Sequence, residues 1–183
     1  GDGRMDLDVL NCDGQTLPLA WERVGEGSRM VVFENAGSFL VARGALRDAT
    51  NPPYGLIAYG GGNQVVRTAA YLPEINKHLS IDYVGDLDAE GIKIALRFAD
   101  AVREKTGYSV EPATTIHEAM LQAAGELGHP GGWAADGVRG ISKIEDWLPT
   151  GYAEDVAKIL RAGKRVPEEV LHGGHYHRIW SGR

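Results

Sequence analysis

Three acidic residues stand at the ends of two short apolar runs. Glu34 lies in Arg29-Met-Val-Val-Phe-Glu-Asn-Ala-Gly-Ser-Phe39, and Asp86 with Asp88 in Ile81-Asp-Tyr-Val-Gly-Asp-Leu-Asp-Ala-Glu-Gly91. A parallel α/β sheet gathers its ligands beyond the carboxyl ends of its strands, which is where these side chains fall. Extended backbone alternates its side chains between two faces, so Asp86 and Asp88 should point the same way and Leu87 the other. Like charges placed together need a counter-ion, and an oxygen-only set suits Mg²⁺ or Mn²⁺ rather than Zn²⁺. One or two such ions would bridge a scissile phosphate, make an attacking water more acidic and stabilise the leaving oxygen. Glu34 could serve either as ligand or as general base, and sequence leaves both roles open.

The elements that must position these groups follow from hydrophobic periodicity. Residues 30–33 read as a buried strand, and a short helix follows to about residue 43. Residues 55–59 read as a second strand, leading through Gly60-Gly-Gly62 to a helix from about residue 63 that Pro73 should end. Residues 81–84 form the third strand and residues 89–105 a helix with Ile92, Ala95, Leu96, Ala99 and Val102 at helical spacing, closed by Gly107. A fourth strand over 108–112 and a helix over 115–126 complete the alternation. Right-handed βαβ units then predict an α/β, Rossmann-like parallel sheet of about four strands with helices on both faces. Residues 1–28 read as a hairpin or extended lead-in, 29–127 as the core, and 128–183 as a loop-rich extension packed on it. Short helices are expected there near 142–147, 152–161 and 167–171, with an irregular tail over 172–177.

Bulk composition bounds the function. The 183 residues are 43% hydrophobic and 24% charged, enough for one substantial core, and 25 glycines imply many tight connections. The single cysteine, Cys12, excludes an intrachain disulfide and a cysteine-based zinc cluster and fits a reducing, cytoplasmic setting. No apolar run could span a bilayer, and the acidic, glycine-rich opening lacks the regions of a signal peptide. The net charge of −6 disfavours nucleic acid as a partner of the whole surface, so any polyphosphate contact must be local. Arg67, Lys93, Arg97 and Arg103 offer such contacts; Lys93 and Arg97, in the helix behind Asp88, are the candidate DNA-binding residues, set against the plain alternative of a solvated helix face.

Other features read as structural. Gly60-Gly-Gly62 matches neither a dinucleotide nor a Walker loop and is better explained as a tight strand-to-helix turn. Glu90 suits the first turn of a helix. Tyr59 and Tyr83 fall in core strands. His172, His175 and His177 lack the cysteines that usually accompany a zinc cluster. Trp133, Trp147 and Trp180 fit loop packing better than base stacking.

Glu34 after the first strand and Asp86-x-Asp88 after the third, each with a glycine close behind, resemble the Toprim fold of topoisomerases, primases and related nucleases. Within it, Val32-Phe-Glu-Asn-Ala-Gly-Ser-Phe39, Ala58-Tyr-Gly-Gly-Gly62 and Tyr83-Val-Gly-Asp-Leu-Asp-Ala-Glu-Gly91 look like the nuclease subunit of the Wadjet anti-plasmid systems, itself similar to the A subunit of topoisomerase VI and the meiotic double-strand-break protein. The match covers roughly residues 29–105, and Arg165-Val-Pro-Glu-Glu-Val-Leu171 resembles a Gln-Glu-containing segment of that family, with Pro167-Glu168 departing from its pattern. The resemblance implies a carboxy-terminal catalytic part of a larger protein, a Mg²⁺-dependent DNA endonuclease acting with a structural-maintenance-type ATPase complex, and leaves room for a homodimer. It makes Glu34, Asp86 and Asp88 the catalytic and metal residues and Glu169 a secondary metal candidate, with Glu168 and Glu169 otherwise a helix start after Pro167. No residue matches the tyrosine with which topoisomerase VI attacks DNA, which favours hydrolysis.

Two other functions compete. A haloacid-dehalogenase-like phosphatase also uses Asp-x-Asp after a strand, but there the motif opens the fold and continues with Thr or Val, where this chain has two preceding strands and Glu90. A non-catalytic module that binds DNA or protein would cleave nothing.

Overall fold

The computed structural model describes residues 18–125, 129–130 and 144–181. A five-stranded sheet runs in the order β1-β3-β2-β4-β5, formed by β1 (Ala20–Arg23), β2 (Arg29–Phe33), β3 (Leu56–Tyr59), β4 (Ser80–Val84) and β5 (Val110–Pro112). The four strands expected from periodicity are all present and parallel to one another. The added strand is β1, which pairs antiparallel with β3 at the edge, so part of the lead-in belongs to the sheet. The rest of the expected opening hairpin lies outside the described residues.

Met30, Val31, Val32 and Phe33 of β2 are all fully buried, on both faces of the strand, as a central strand covered on both sides requires. The crossover from β2 to β3 carries α1 (Ala36–Asp48), and the one from β4 to β5 carries α4 (Ala89–Thr106). These crossovers run in opposite directions across the sheet, so right-handedness puts α1 and α4 on opposite faces. Between β3 and β4 the chain makes only single helical turns, α2 (Val65–Thr68) and α3 (Leu72–Ile75), joined by 3₁₀ turns. Pro73 therefore does not end a long helix. It sits in the first turn of α3, where its missing N–H costs nothing.

Helices expected near 142–147 and 152–161 are present, and other expectations change. Helix α1 continues past residue 43 to Asp48, because Ala45 and Leu46 extend its buried face beyond Gly44. Beyond α5 (Thr114–Ala124), the extension holds β6 (His129–Pro130), α6 (Ile144–Trp147), α7 (Thr150–Arg161) and β7 (Lys164–Arg165), and β6 pairs antiparallel with β7. The tail expected to be irregular is helix α8 (Gly173–Ser181), packed against α1 and α5 with Tyr176 fully buried and its ring edge-on to Phe33 at 5.9 Å. Among the described residues no helix is long and apolar enough to cross a membrane.

Helix α4 enters directly over the Asp86 turn. A Cβ on Gly91 would stand 2.3 Å from the Asp86 carbonyl oxygen and 3.2 Å from its amide nitrogen, so only glycine permits this approach. Gly91→Ala is expected to lose about 1–3 kcal/mol of stability through that overpacking. Gly44→Ala, with nothing within 4 Å of the added carbon in an exposed stretch of α1, should instead gain about 0.5–1 kcal/mol. Denaturant unfolding of the two variants checks both signs, and a neutral Gly91→Ala would refute the contact.

Candidate active site

Strands β2 and β4 lie side by side in parallel register, with Phe33 opposite Val84, and the Glu34 amide extends the ladder by donating to the Val84 carbonyl at 2.9 Å. From β2 the chain crosses to β3 on one side, and it returns to β4 on the other. The ends of β2 and β4 are thus the point where strand order reverses, and a crevice must open there. Glu34 leaves β2 and Asp86 and Asp88 leave β4 into that crevice.

Each carboxylate is held through one oxygen. Tyr83 donates its hydroxyl to Glu34 Oε2 at 3.0 Å, and Gly85 lets that carboxyl lie against the backbone, since a Cβ there would come within 2.6 Å of Oε2. Tyr83 itself is buried, with its ring 5.7 Å from Phe98, so a residue expected to serve only the core also orients Glu34. Asp88 is the N-cap of α4, its Oδ1 accepting from the Glu90 and Gly91 amides at 3.0 and 2.8 Å. The Asp86 Oδ1 accepts from the Glu168 amide at 2.9 Å. That leaves the two Oδ2 atoms, which stand 3.5 Å (Asp86) and 3.8 Å (Asp88) from the same guanidinium nitrogen of Arg165. A shared partner fits the expected projection of Asp86 and Asp88 to one side, while Leu87 turns away to bridge Val166.

That bridge brings in a residue that local pattern did not single out. Leu87 and Val166 exchange backbone hydrogen bonds at 2.9 and 3.3 Å, a two-residue antiparallel clip that lays residues 164–168 along the Asp-x-Asp turn. Glu168, at the start of a 3₁₀ turn, is completely buried, and neither carboxyl oxygen has a hydrogen-bond partner. The Asn35 amide faces it without reaching hydrogen-bond geometry. Burial, followed by the charges of Asp86, Glu34 and Glu169, pushes the Glu168 carboxyl far above the usual carboxylate range. Glu169, the secondary metal candidate, is exposed; its Oε1 accepts from Asn35 Nδ2 at 2.5 Å, and its charge adds to the repulsion at Asp86 and Glu168.

Desolvation also dominates at Glu34, raised to about 7 against the lowering effect of Tyr83, with Asp86, Asp88 and Glu90 adding repulsion. Burial raises Asp86 too, partly offset by the Glu168 amide and by Arg165. Among the described residues, no three carboxyl, imidazole or thiol groups already stand in a closed metal-binding group. The acids influence one another electrostatically, Asp86 and Asp88 adding to the repulsion at Glu34, and the guanidinium of Arg165 lies within 4.0 Å of both aspartates. Their donor chemistry, all oxygen and formally anionic, fits a hard divalent cation and not zinc.

The remaining candidates form no hydrogen bond or ion pair with Glu34, Asp86 or Asp88 among the described residues. Lys93 pairs with Glu90 at 3.4 Å, and Arg97 donates to Asn63 at 2.8 Å, both on the exposed side of α4. Gly60-Gly-Gly62 is the expected tight turn, with the Gly60 amide bonded to Phe33 O at 2.8 Å and Gly61 and Gly62 at φ 71° and 61°. His172 and His175 lie with their rings 3.9 Å apart and tilted at the start of α8, and His177 reaches Asp48 at 3.9 Å. Trp147 is buried and Trp180 packs on Tyr176 at 5.1 Å, whereas Trp133 lies outside the described residues.

A family model described as Wadjet protein JetD, C-terminal, matches residues 7–122. No curated protein and no solved structure matches the chain.

The carboxyl cluster sets a pH dependence in metal-free buffer. Glu34, Asp86 and Glu168 all hold protons more tightly folded than unfolded, so unfolding releases protons and stability must fall as pH rises. For Glu34 the contribution is complete below its ordinary value of 4.5 and is lost as pH passes through about 7. Denaturant unfolding in chelator across that interval should show the decline, and Glu34→Gln should make it shallower. A stability that climbs over the same range would overturn this account of the cluster.

Proposed function

Because the chain belongs to the family of the Wadjet protein JetD C-terminal region, and so to a multi-protein anti-plasmid defence system, we propose that it is the catalytic part of a metal-dependent DNA endonuclease. What supports this reading is the buried, unpartnered carboxyl of Glu168, whose amide binds Asp86, next to the strand ends that carry Glu34, Asp86 and Asp88. A structural carboxylate is ordinarily satisfied by donors, as Asp82 is by Arg29 and Tyr54, both at 2.7 Å. Glu168 is not. Leaving such a group buried costs stability, and a divalent cation in its vicinity would reverse that cost.

Glu34, Asp86, Asp88 and Glu168 would hold Mg²⁺ or Mn²⁺, which when bound supplies a polarised phosphate and a more acidic water. The chain's own parts do the positioning. The α4 cap fixes Asp88 so that Oδ2 faces the cluster, and the Glu168 amide does the same for Asp86. Tyr83 fixes one oxygen of Glu34 and leaves the other for the cation or for the proton of the attacking water. The tyrosines nearest the cluster, Tyr83 and Tyr176, are buried, which favours hydrolysis over a covalent protein–DNA intermediate. The order of a glutamate strand, then a neighbouring parallel strand with Asp-x-Asp, supports the Toprim assignment. DNA would be contacted by exposed basic groups such as Lys93 and Arg97, and a structural-maintenance-type ATPase complex would deliver it.

Supercoiled plasmid incubated with the full-length protein and its ATPase partners should be cut with Mg²⁺ and left intact with chelator. Asp86→Asn and Glu168→Gln should each reduce the rate by about 100-fold or more, the scale expected when a site's charge arrangement is broken. Turnover of a small phosphomonoester without plasmid cutting would support the phosphatase instead, and neither activity would leave a binding module.

Asp88 has two separable roles. Asp88→Asn keeps an Oδ1 acceptor and should leave metal-free stability within about 1 kcal/mol of the parent, whereas Asp88→Ala loses the cap and should cost about 0.5–2 kcal/mol. Both should lose the rise in melting temperature that Mg²⁺ gives the parent. An equal Mg²⁺-dependent rise in all three would remove Asp88 from the ligand set.

A further inference from the structure

Arg165 is the unusual member of the cluster. It is, among the described residues, the one basic side chain within 4.0 Å of Asp86 or Asp88, and it reaches each through the oxygen that the fold does not use, at 3.5 and 3.8 Å. Its backbone is fixed, since β7 pairs with β6 and the next residue, Val166, is clipped to Leu87. Its side chain is not: 43% of it is exposed, and neither contact has the length of a close charge-assisted bond. A guanidinium anchored at its base, loosely shared between two carboxylates and open to solvent, is suited to changing partners.

Its present partners are the atoms a divalent cation would take. The two cations cannot share Asp86 Oδ2 and Asp88 Oδ2 at such distances, because like charges repel and the divalent ion attracts the carboxylates more strongly. Displaced from them, the guanidinium remains tethered at the mouth of the crevice and needs an anion. A phosphate offers the planar, two-oxygen match for which arginine is built. Lys93 and Arg97 are differently placed, bound to Glu90 and Asn63 on the outer side of α4 and free of both aspartates.

We propose that Arg165 is an exchangeable counter-cation of this site: it neutralises Asp86 and Asp88 while the site is without metal, and it binds a DNA phosphate once a divalent cation displaces it. The proposal rests on the nuclease reading and adds to it a substrate-contacting residue and an order of events. The device keeps the acidic pair from repelling the DNA backbone before the site is loaded. It also couples metal binding to phosphate binding, since each removes an obstacle to the other.

The experiment compares the full-length parent with Arg165→Gln and Arg165→Lys. Mn²⁺ binding is titrated without DNA by calorimetry, and plasmid cleavage is then followed with the ATPase partners. Arg165→Gln should bind Mn²⁺ about three- to tenfold more tightly, the range expected for removing a partly exposed competing charge, and the gain should shrink as salt is raised. The same variant should cleave at least about tenfold more slowly, with the loss mainly in apparent DNA affinity. Arg165→Lys should lie between parent and Arg165→Gln in both respects. Tighter metal with weaker cleavage is a combination that misfolding does not produce. Unchanged or weaker Mn²⁺ binding by both variants overturns the counter-cation role, and unchanged cleavage overturns the phosphate contact. A parent that binds no Mn²⁺ and cuts no plasmid refutes instead the nuclease reading beneath the proposal.

Discussion

The parallel pairing of β2 with β4 is the constraint on which the rest depends. Once these strands are neighbours and β3 lies on the far side of β2, the connections must leave the sheet in opposite directions, and a crevice at the strand ends is unavoidable. Glu34 and the Asp-x-Asp turn are placed in it by register alone, through the Phe33–Val84 pair and the hydrogen bond that follows it. The crevice then concentrates negative charge in a half-desolvated space. The fold tolerates this by holding Glu34, Asp86 and Asp88 through one oxygen each and leaving the Oδ2 atoms of the two aspartates to Arg165. Asp82, by contrast with Glu168, shows the ordinary rule: its carboxylate is buried and satisfied by Arg29 and Tyr54, whereas the Glu168 carboxyl is buried with no hydrogen-bond partner.

What was legible in the chain follows from what is encoded locally. Strand β2 and its glutamate, strand β4 and its paired aspartates, and the alternation of helix and strand are properties of short windows, and the period-two projection of Asp86 and Asp88 needs no tertiary information. Glu168 was hidden because nothing near it in sequence distinguishes it from Glu169. The choice between them is made by the Leu87–Val166 clip and the 3₁₀ turn that follows Pro167, which bury the first glutamate and expose the second. Tyr83 was half legible: its ring belongs to the core, but its hydroxyl's partner could be found only once Glu34 was seen across the β2–β4 pair.

The last turn of α1 and the whole of α8 were missed for a different reason. Gly44 interrupts α1 in propensity but not in burial, since Ala42, Ala45 and Leu46 keep one face apolar. At α8, Gly173 and Gly174 with three nearby histidines suppress the helical signal, yet Tyr176 gains a fully buried position against Phe33. Tertiary packing overrides weak propensity in both cases. The lead-in strand β1 is a similar case, stabilised by pairing with β3 at an edge that local alternation did not reveal.

The Leu87–Val166 clip has a consequence in time as well as in space. It joins parts of the chain separated by most of the core, so the loop it closes is long and the contact is among the late ones that loop entropy permits. The sheet, α1 and α4 can assemble from residues up to 112 as synthesis proceeds, with the Asp-x-Asp turn already shaped by its cap. Until residues 165–168 emerge from the ribosome, however, that turn has neither Arg165 nor the Glu168 amide and carboxyl. The nascent chain can therefore form its sheet before it completes its acidic centre.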